Sequence, residues 1–174
     1  MAATEPASAI VIRVPVPAGL ERLRRRWDRS AGVGIPAHVT ILFPFLTASG
    51  LDPTARRAIA DIARGVEPFE VAFRRVARFP RVVYLVPEPS TPISTLTAAV
   101  TTRYPGHPPY GGIFDEVVPH LTVTESDAAP LDEIAAETER WLPFTHDVTA
   151  LEVLVESPEG RWRRHWRIPL GIRR

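Results

Sequence analysis

Residues 35–45, IPAHVTILFPF, and 118–124, VPHLTVT, decide how this chain is read. Each stretch is rich in β-branched and apolar residues around a His-x-Thr tripeptide, His38-Val39-Thr40 and His120-Leu121-Thr122, and each has the composition of a strand. Successive side chains on a strand alternate between faces. In each motif the imidazole and the hydroxyl therefore point one way, and the apolar residue between them points the other. One such pair carries little information, because Thr favours strands and an isolated His usually hydrogen-bonds a buried carbonyl. Two pairs of the same pattern, 82 residues apart from position 38 to position 120, predict two half-sites that face each other.

Working outward, Ala9 to Val16 alternates as a strand, and Pro17 opens a helix with Leu20, Leu23 and Trp27 on one side. Downstream of the first motif strand, Ala37 to Phe43, the pair Asp52-Pro53 supplies an N-cap and a first-turn proline for a helix that runs to Gly65. Phe69 to Phe79, the turn Pro80-Arg81 and Val82 to Val86 predict a hairpin. A third helix starts at Ser90 or Thr91, carries Ile93, Leu96 and Val100 on one face, and stops at Pro105-Gly106. A Pro- and Gly-rich loop leads to the second motif strand, His120 to Thr124. Pro130 then opens a helix with Asp132 and Glu133 in its first turn, and Val148 to Val155 with Trp162 to Leu170 flank a turn at Ser157–Gly160. The order His-x-Thr strand, helix, Pro-Phe pair (Pro68-Phe69, Pro143-Phe144), strand, turn, strand thus occurs twice. It predicts one α+β domain over residues 1–174: a bilobal, pseudo-twofold arrangement of two antiparallel sheets lining a central cleft, one motif in each interleaved lobe, with helices on the outer faces.

Composition narrows the chemistry. With 174 residues and 45% hydrophobic side chains the chain buries a core without staples, and the absence of cysteine removes disulfides, zinc knuckles and thiol nucleophiles. Every basic residue is arginine and no Lys, Asn or Gln occurs, the bias of a GC-rich genome and a pointer to a bacterial source. A net charge of +1 provides no global field for a long polyanion, so any nucleic-acid contact is expected to be local. The start, MAATEPASAIVIRVPV, has no basic leader region and Arg13 interrupts its apolar run. Neither a signal peptide nor a membrane span is indicated, and a cytoplasmic monomer is expected. His107, His146 and His165 stand at no metal-ligand spacing, so no metal site is predicted and they read as surface or loop residues. The cluster Arg22, Arg24, Arg25 and Arg26 reads as a solvated helix face.

The paired motifs, with the flanking segments GIPAHVTILFPF, RFPRVVYLVPEP and PPYGGIFDEVVPHLTV, resemble the two-histidine (2H) phosphoesterase superfamily, which includes bacterial 2′-5′ RNA ligase-like proteins and 2′,3′-cyclic phosphodiesterases. The resemblance spans most of the chain. It implies hydrolysis of a 2′,3′-cyclic phosphate, or a related cyclic phosphodiester, on a small nucleotide or RNA end, without cofactor or metal. Opening such an ester needs one base and one acid, and two imidazoles titrating near 6.5 supply both near neutral pH. His38 is implied as the proton donor and His120 as the base, with Thr40 and Thr122 donating hydrogen bonds to the phosphate oxygens. Tyr84, in the family's post-turn strand, and Tyr110, before Gly111-Gly112, are candidates to hold the base, and Arg81 with Arg78 to contact phosphate. Where several RNA-processing relatives carry a basic residue after the second motif, this chain has Thr124-Glu125-Ser126, which leaves small cyclic nucleotides and other phosphodiesters open. No GK[ST] loop is present, so hydrolysis is expected rather than nucleotide-driven ligation. The alternatives are a nucleotide- or RNA-end-binding module with the same cleft and little or no turnover, and a structural protein using the same fold.

Overall fold

Period-2 alternation between Ser8 and Pro169 is realised as eight strands, and the 3.6-residue pattern between them as helices. In the computed structural model the described residues are 6–171; residues 1–5, where the segment read above for a leader begins, and 172–174 lie outside them. The order is β1 (Ser8–Arg13), α1 (Ala18–Trp27), a one-turn α2 (Arg29–Gly32), β2 (His38–Leu42), α3 (Pro53–Arg64), β3 (Phe69–Phe79), β4 (Val82–Glu88), α4 (Thr91–Arg103), β5 (Leu121–Glu125), α5 (Leu131–Glu139), β6 (Phe144–Val148), β7 (Ala150–Glu156) and β8 (Trp162–Pro169). Sequence signals set the ends. β1 stops before Pro15 and Pro17, which have no N–H to donate, although Val14 N–H still reaches Ala37 O at 2.9 Å. Asp52 caps α3 by accepting the Ala55 N–H at 2.8 Å, with Pro53 in the first turn and Gly65 after the last.

The two expected sheets are the halves of one curled, antiparallel, eight-stranded sheet of order β6-β3-β4-β5-β2-β1-β7-β8. The halves meet where β2 and β5 share a single residue pair, Val39 opposite Leu121. The pseudo-twofold passes through that pair, so β1 matches β4, β7 matches β3 and β8 matches β6. The hairpins are exchanged between halves. β3 and β4, which follow the first motif, join β5 of the second motif, and β7, which follows the second motif, pairs with β1 beside the first. The Pro143-Phe144 segment is a strand of its own, β6, paired with β3 from Phe69 opposite Val148 to Phe73 opposite Phe144. Only Thr149 separates it from β7, so the sheet must curl, and His146 of β6 reaches the backbone of Arg13 at the end of β1. His146 is therefore tied into the fold, contrary to its reading as a surface residue.

The helices cover one face. Leu20 and Leu23 of α1, Ile59 and Ala63 of α3, Ile93, Leu96 and Val100 of α4, and Ile134 and Ala135 of α5 pack with alternate strand residues such as Ile10, Ile12, Val39, Ile41, Leu121 and Val123 in the main core. The intervening strand residues, including both His-x-Thr pairs, are left for the opposite, open face. A smaller cluster of Ala9, Val11 and Leu154, with Ile35 and Trp162 against it, lies apart from that core.

Helix α1 approaches the end of α5 closely enough to require a glycine. A Cβ placed on Gly19 would lie 1.8 Å from a ring carbon of Trp141. Gly19→Ala is expected to destabilise the protein by about 1–3 kcal/mol, the usual range for overpacking, read as a lower midpoint in urea unfolding with an unchanged slope.

Candidate active site

Both motif histidines are held by the same local device. His38 Nδ1 lies 2.8 Å from Pro36 O, and His120 Nδ1 lies 2.7 Å from Val118 O, each the carbonyl two residues earlier in the chain. A carbonyl can only accept, so in the neutral ring the proton sits on Nδ1 and Nε2 keeps its lone pair for the cleft. The cross-strand pair Val39–Leu121 then fixes the relation between the motifs. In that antiparallel register Thr122 falls across from His38, and Thr40 across from His120, so each imidazole neighbours the other motif's hydroxyl. The structure brings the four motif side chains together at the centre of the sheet, and the charge of His120 acts on His38.

The surroundings of the two rings differ. On β4, Tyr84 lies opposite Thr122, and it stacks on Phe79 with ring centroids 4.3 Å apart. Both rings pack edge-to-face on His120, at 5.5 and 5.4 Å. The symmetry-equivalent place beside Thr40 belongs to Val11 of β1, so the stacked pair beside His120 has no counterpart on that strand. Beside His38 lies charge. Arg24, 1% exposed, donates Nε to Thr122 O at 3.2 Å and pairs through an Nη with Asp28 Oδ2 at 2.9 Å; Asp28 also accepts the Ser30 hydroxyl at 2.6 Å. Arg24 is thus no part of a solvated face. It fills the region where β2 and β5 have a single pairing and anchors α1 to β5, helped by the Thr124 hydroxyl donating to Trp27 O at 2.7 Å. A signal for this was present in the sequence: Arg24 falls four residues after Leu20 and three before Trp27, on the apolar side of α1, with Asp28 one turn on.

These environments displace the titrations. Desolvation pushes His38 down to about 4, with the Arg24 guanidinium and His120 adding to it against the Pro36 carbonyl and Asp28. His120 is also lowered, by burial, but Val118 O and Glu125 oppose the shift. Tyr110 has its phenol pushed up by burial, with the neighbouring Thr40 side chain acting the other way. It therefore stays protonated near neutral pH and stands at the first half-site. Exposed apolar side chains, Phe43, Ile113, Phe114 and Val118, cluster in sequence at the end of β2 and in the loop before His120.

Arg81 and Arg78 are not gathered into this centre. Arg81, at the β3–β4 turn, is exposed and held by Asp127 at 2.9 Å, with Glu125 at 3.9 Å. Val82 faces Glu125 and Leu85 faces Leu121, so this turn lies at the far end of β5 from His120. It opens on a groove of 690 Å³ lined by Arg81, Asp28, Ile35, Glu125, Asp127 and Trp162 among others. Arg78 donates to Asp132 and to Leu131 O on α5. His107 packs edge-on against Phe45 and Tyr104, and His165 lies exposed on β8. Among the described residues no group of three or more His, Cys, Asp or Glu is arranged to hold a metal ion, and no helix is long and apolar enough to cross a membrane.

A curled α+β sheet with one His-x-Thr on each central strand defines the class of two-histidine phosphoesterase-like folds. Residues 13–159 match the model of the 2′-5′ RNA ligase superfamily, and the chain belongs to that family. Among solved structures it is similar to TT0787 of Thermus thermophilus (17% identity, 97% of this chain and 100% of that one, TM-score 0.62). It is also similar to Escherichia coli LigT in apo form (17% identity, 97% and 99%, TM-score 0.57) and to the same protein complexed with 3′-AMP (17% identity, 97% and 99%, TM-score 0.54). At these identities the likeness is one of fold. No curated protein sequence matches significantly.

Burial of a neutral His38 has a thermodynamic consequence. Its proton affinity is lower folded than unfolded, so the unfolded chain binds the extra proton and stability falls as pH drops from about 6.5 to about 4. The loss from this residue is at most about 3 kcal/mol, and urea midpoints across that window should show it, with His38→Gln flattening the trend. Arg24→Met, which leaves Asp28 buried without its cation, is expected to cost about 3–5 kcal/mol by the same measurement at pH 7.

Proposed function

We propose that this protein hydrolyses a 2′,3′-cyclic phosphate, or a closely related cyclic phosphodiester, on a small nucleotide or RNA end, by acid–base catalysis between His38 and His120. The observation that carries this reading is the pair of Nδ1–carbonyl contacts, which give two histidines from adjacent strands the same tautomer and the same free nitrogen. Water attacks phosphorus while one imidazole takes its proton. The bond from phosphorus to one ribose oxygen breaks as the other imidazole protonates that oxygen, and the product is a phosphomonoester. Thr40 and Thr122 donate to the non-bridging oxygens, where negative charge grows in the transition state.

Electrostatics favour His38 as the base and His120 as the acid, the reverse of what the family resemblance implies. Desolvation and the Arg24 guanidinium disfavour a proton on His38 against the opposing charge of Asp28, whereas Glu125 favours one on His120 against its own desolvation. Tyr84 and Tyr110 flank the phosphate position from opposite halves and are proposed to contact the substrate's nucleoside. Arg81 would be reached only by a substrate extending past Thr124 into the groove.

The test is hydrolysis of the four 2′,3′-cyclic mononucleotides and a short RNA with a 2′,3′-cyclic end, in EDTA. His38→Ala and His120→Ala should each lower kcat by about 10²–10⁴-fold, and Thr40→Ala or Thr122→Ala by about 10²-fold. Tight nucleotide binding without turnover in the wild type would instead identify a binding module. The activity should also be acid-shifted. A neutral base and a protonated acid coexist between the two lowered titrations, so kcat/KM should peak below 6.5 and decline towards pH 4 as His38 takes up its proton.

A further inference from the structure

Arg13 closes β1, and the register of that strand places it beside the site. It stands opposite His38 in the β1–β2 ladder. Its face follows from its neighbours: Ile10, Ile12 and Val14 lie in the main core under the helices, whereas Ala9 and Val11 belong to the smaller cluster on the other side. By alternation Arg13 shares the open face with His38, and directly opposite residues hold their Cβ atoms about 4.5–5.5 Å apart. Its charge is also uncommitted. Arg24 is taken up by Asp28 at 2.9 Å, Arg81 by Asp127 at 2.9 Å and Arg164 by Glu152 at 3.1 Å. Arg13 is exposed, and among the described residues no carboxylate pairs with it. The other half-site has no counterpart. There Leu85 faces Leu121, which puts Val86 next to His120, and the charge that acts on His120 is the negative one of Glu125.

We infer that Arg13 binds a second phosphate of the substrate, the one carried on its 5′ oxygen, and so selects a 5′-phosphorylated cyclic nucleotide or an RNA end over a bare nucleoside cyclic phosphate. The four motif side chains stand on β2 and β5, so the reacting phosphate lies between those strands. Arg13 is on β1, one strand further out and about 7 Å from that midline at the usual strand spacing, with His38 in between. Its guanidinium therefore meets the group that the substrate carries beside the reacting one. In a 2′,3′-cyclic ester both of those ribose oxygens are closed into the ring, which leaves the 5′ oxygen as the place for a further phosphate. A guanidinium fork matches two phosphate oxygens and stays charged at every working pH. At the β5 end a second phosphate would instead meet Glu125 and an Arg81 already held by Asp127. This inference rests on the phosphodiesterase reading of the site and narrows its substrate.

The experiment compares kcat/KM for adenosine 2′,3′-cyclic phosphate, its 5′-phosphorylated form, and the dinucleotide ApA ending in a 2′,3′-cyclic phosphate. In wild-type protein one or both of the substrates with a second phosphate should be favoured by about five- to tenfold at low salt, the scale of one solvent-exposed charge-assisted pair, and the advantage should shrink as salt rises. A gain for the terminal monoester alone identifies a 5′-phosphorylated mononucleotide, and a gain for the dinucleotide identifies an RNA end. Arg13→Gln should bring the ratio to about one, and Arg13→Lys should keep part of it. Arg56→Gln on α3, which removes the same charge from the helix side, should leave the ratio as it is. No preference in the wild type, a ratio that survives R13Q, an equal drop on all three substrates, or the same change in R56Q would each overturn the inference. Should wild-type protein turn over none of these substrates, the function reading fails and the role of Arg13 is decided by calorimetry with 3′-AMP and adenosine 3′,5′-bisphosphate. There the bisphosphate should bind about five- to tenfold tighter in the wild type and lose that advantage in R13Q; equal affinity, or binding of neither, would refute it.

Discussion

One residue pair, Val39 opposite Leu121, joins the halves of the sheet, and the rest of the site depends on it. Both residues are apolar and face the helices, so the core fixes the register of β2 against β5. A slip of one residue would turn Val39, Ile41, Leu121 and Val123 to the open side and bring His38 and His120 against the helices in their place. The requirement that buries two apolar side chains is therefore the same one that presents two imidazoles and two hydroxyls. The weakness of the junction is offset from outside the sheet, where the buried Arg24–Asp28 pair and Thr124 fasten α1 to β5.

Around that symmetric centre the chain is asymmetric, and the two histidines stand in different surroundings. One half places an ion pair beside its imidazole and a tyrosine beside its threonine; the other places two aromatic rings around its imidazole. Acid–base chemistry needs one group that holds a proton and one that lacks it, and two identical environments would leave the choice to chance. The differences lie in residues flanking the motifs, while the motifs themselves remain near copies.

Much of this was legible in the sequence. Period-2 alternation revealed the motif strands and the hairpins, and caps and prolines marked α3 and α4 within a residue or two, because these signals are local. The pairing of the two His-x-Thr motifs pointed to a shared site for the same reason: the residue types and their faces can be counted on a strand. What local pattern could not give was partnership over distance. Arg24 looked like one of four exposed arginines, since only its position on the apolar side of α1 distinguished it. The strand here was read as Val148 to Val155, and the separate strand Phe144–Val148 and its pairing with β3 became visible only with the fold. Likewise Arg81 shares a turn with a site strand, yet the direction of β4 carries it away from the phosphate position.

The exchange of hairpins between the halves bears on how the chain reaches this state. Ile10 pairs with Val153 and Phe69 with Val148, so strands at opposite ends of the sequence must meet before either half of the sheet is complete. No contiguous half of the chain contains its own set of pairings. Contacts of such sequence separation are closed late and at high entropic cost, which makes for slow, all-or-none folding. A nascent chain that has released only the first motif holds His38 without the strand that supplies its counterpart, so the two imidazoles face one another only once β5 has docked beside β2.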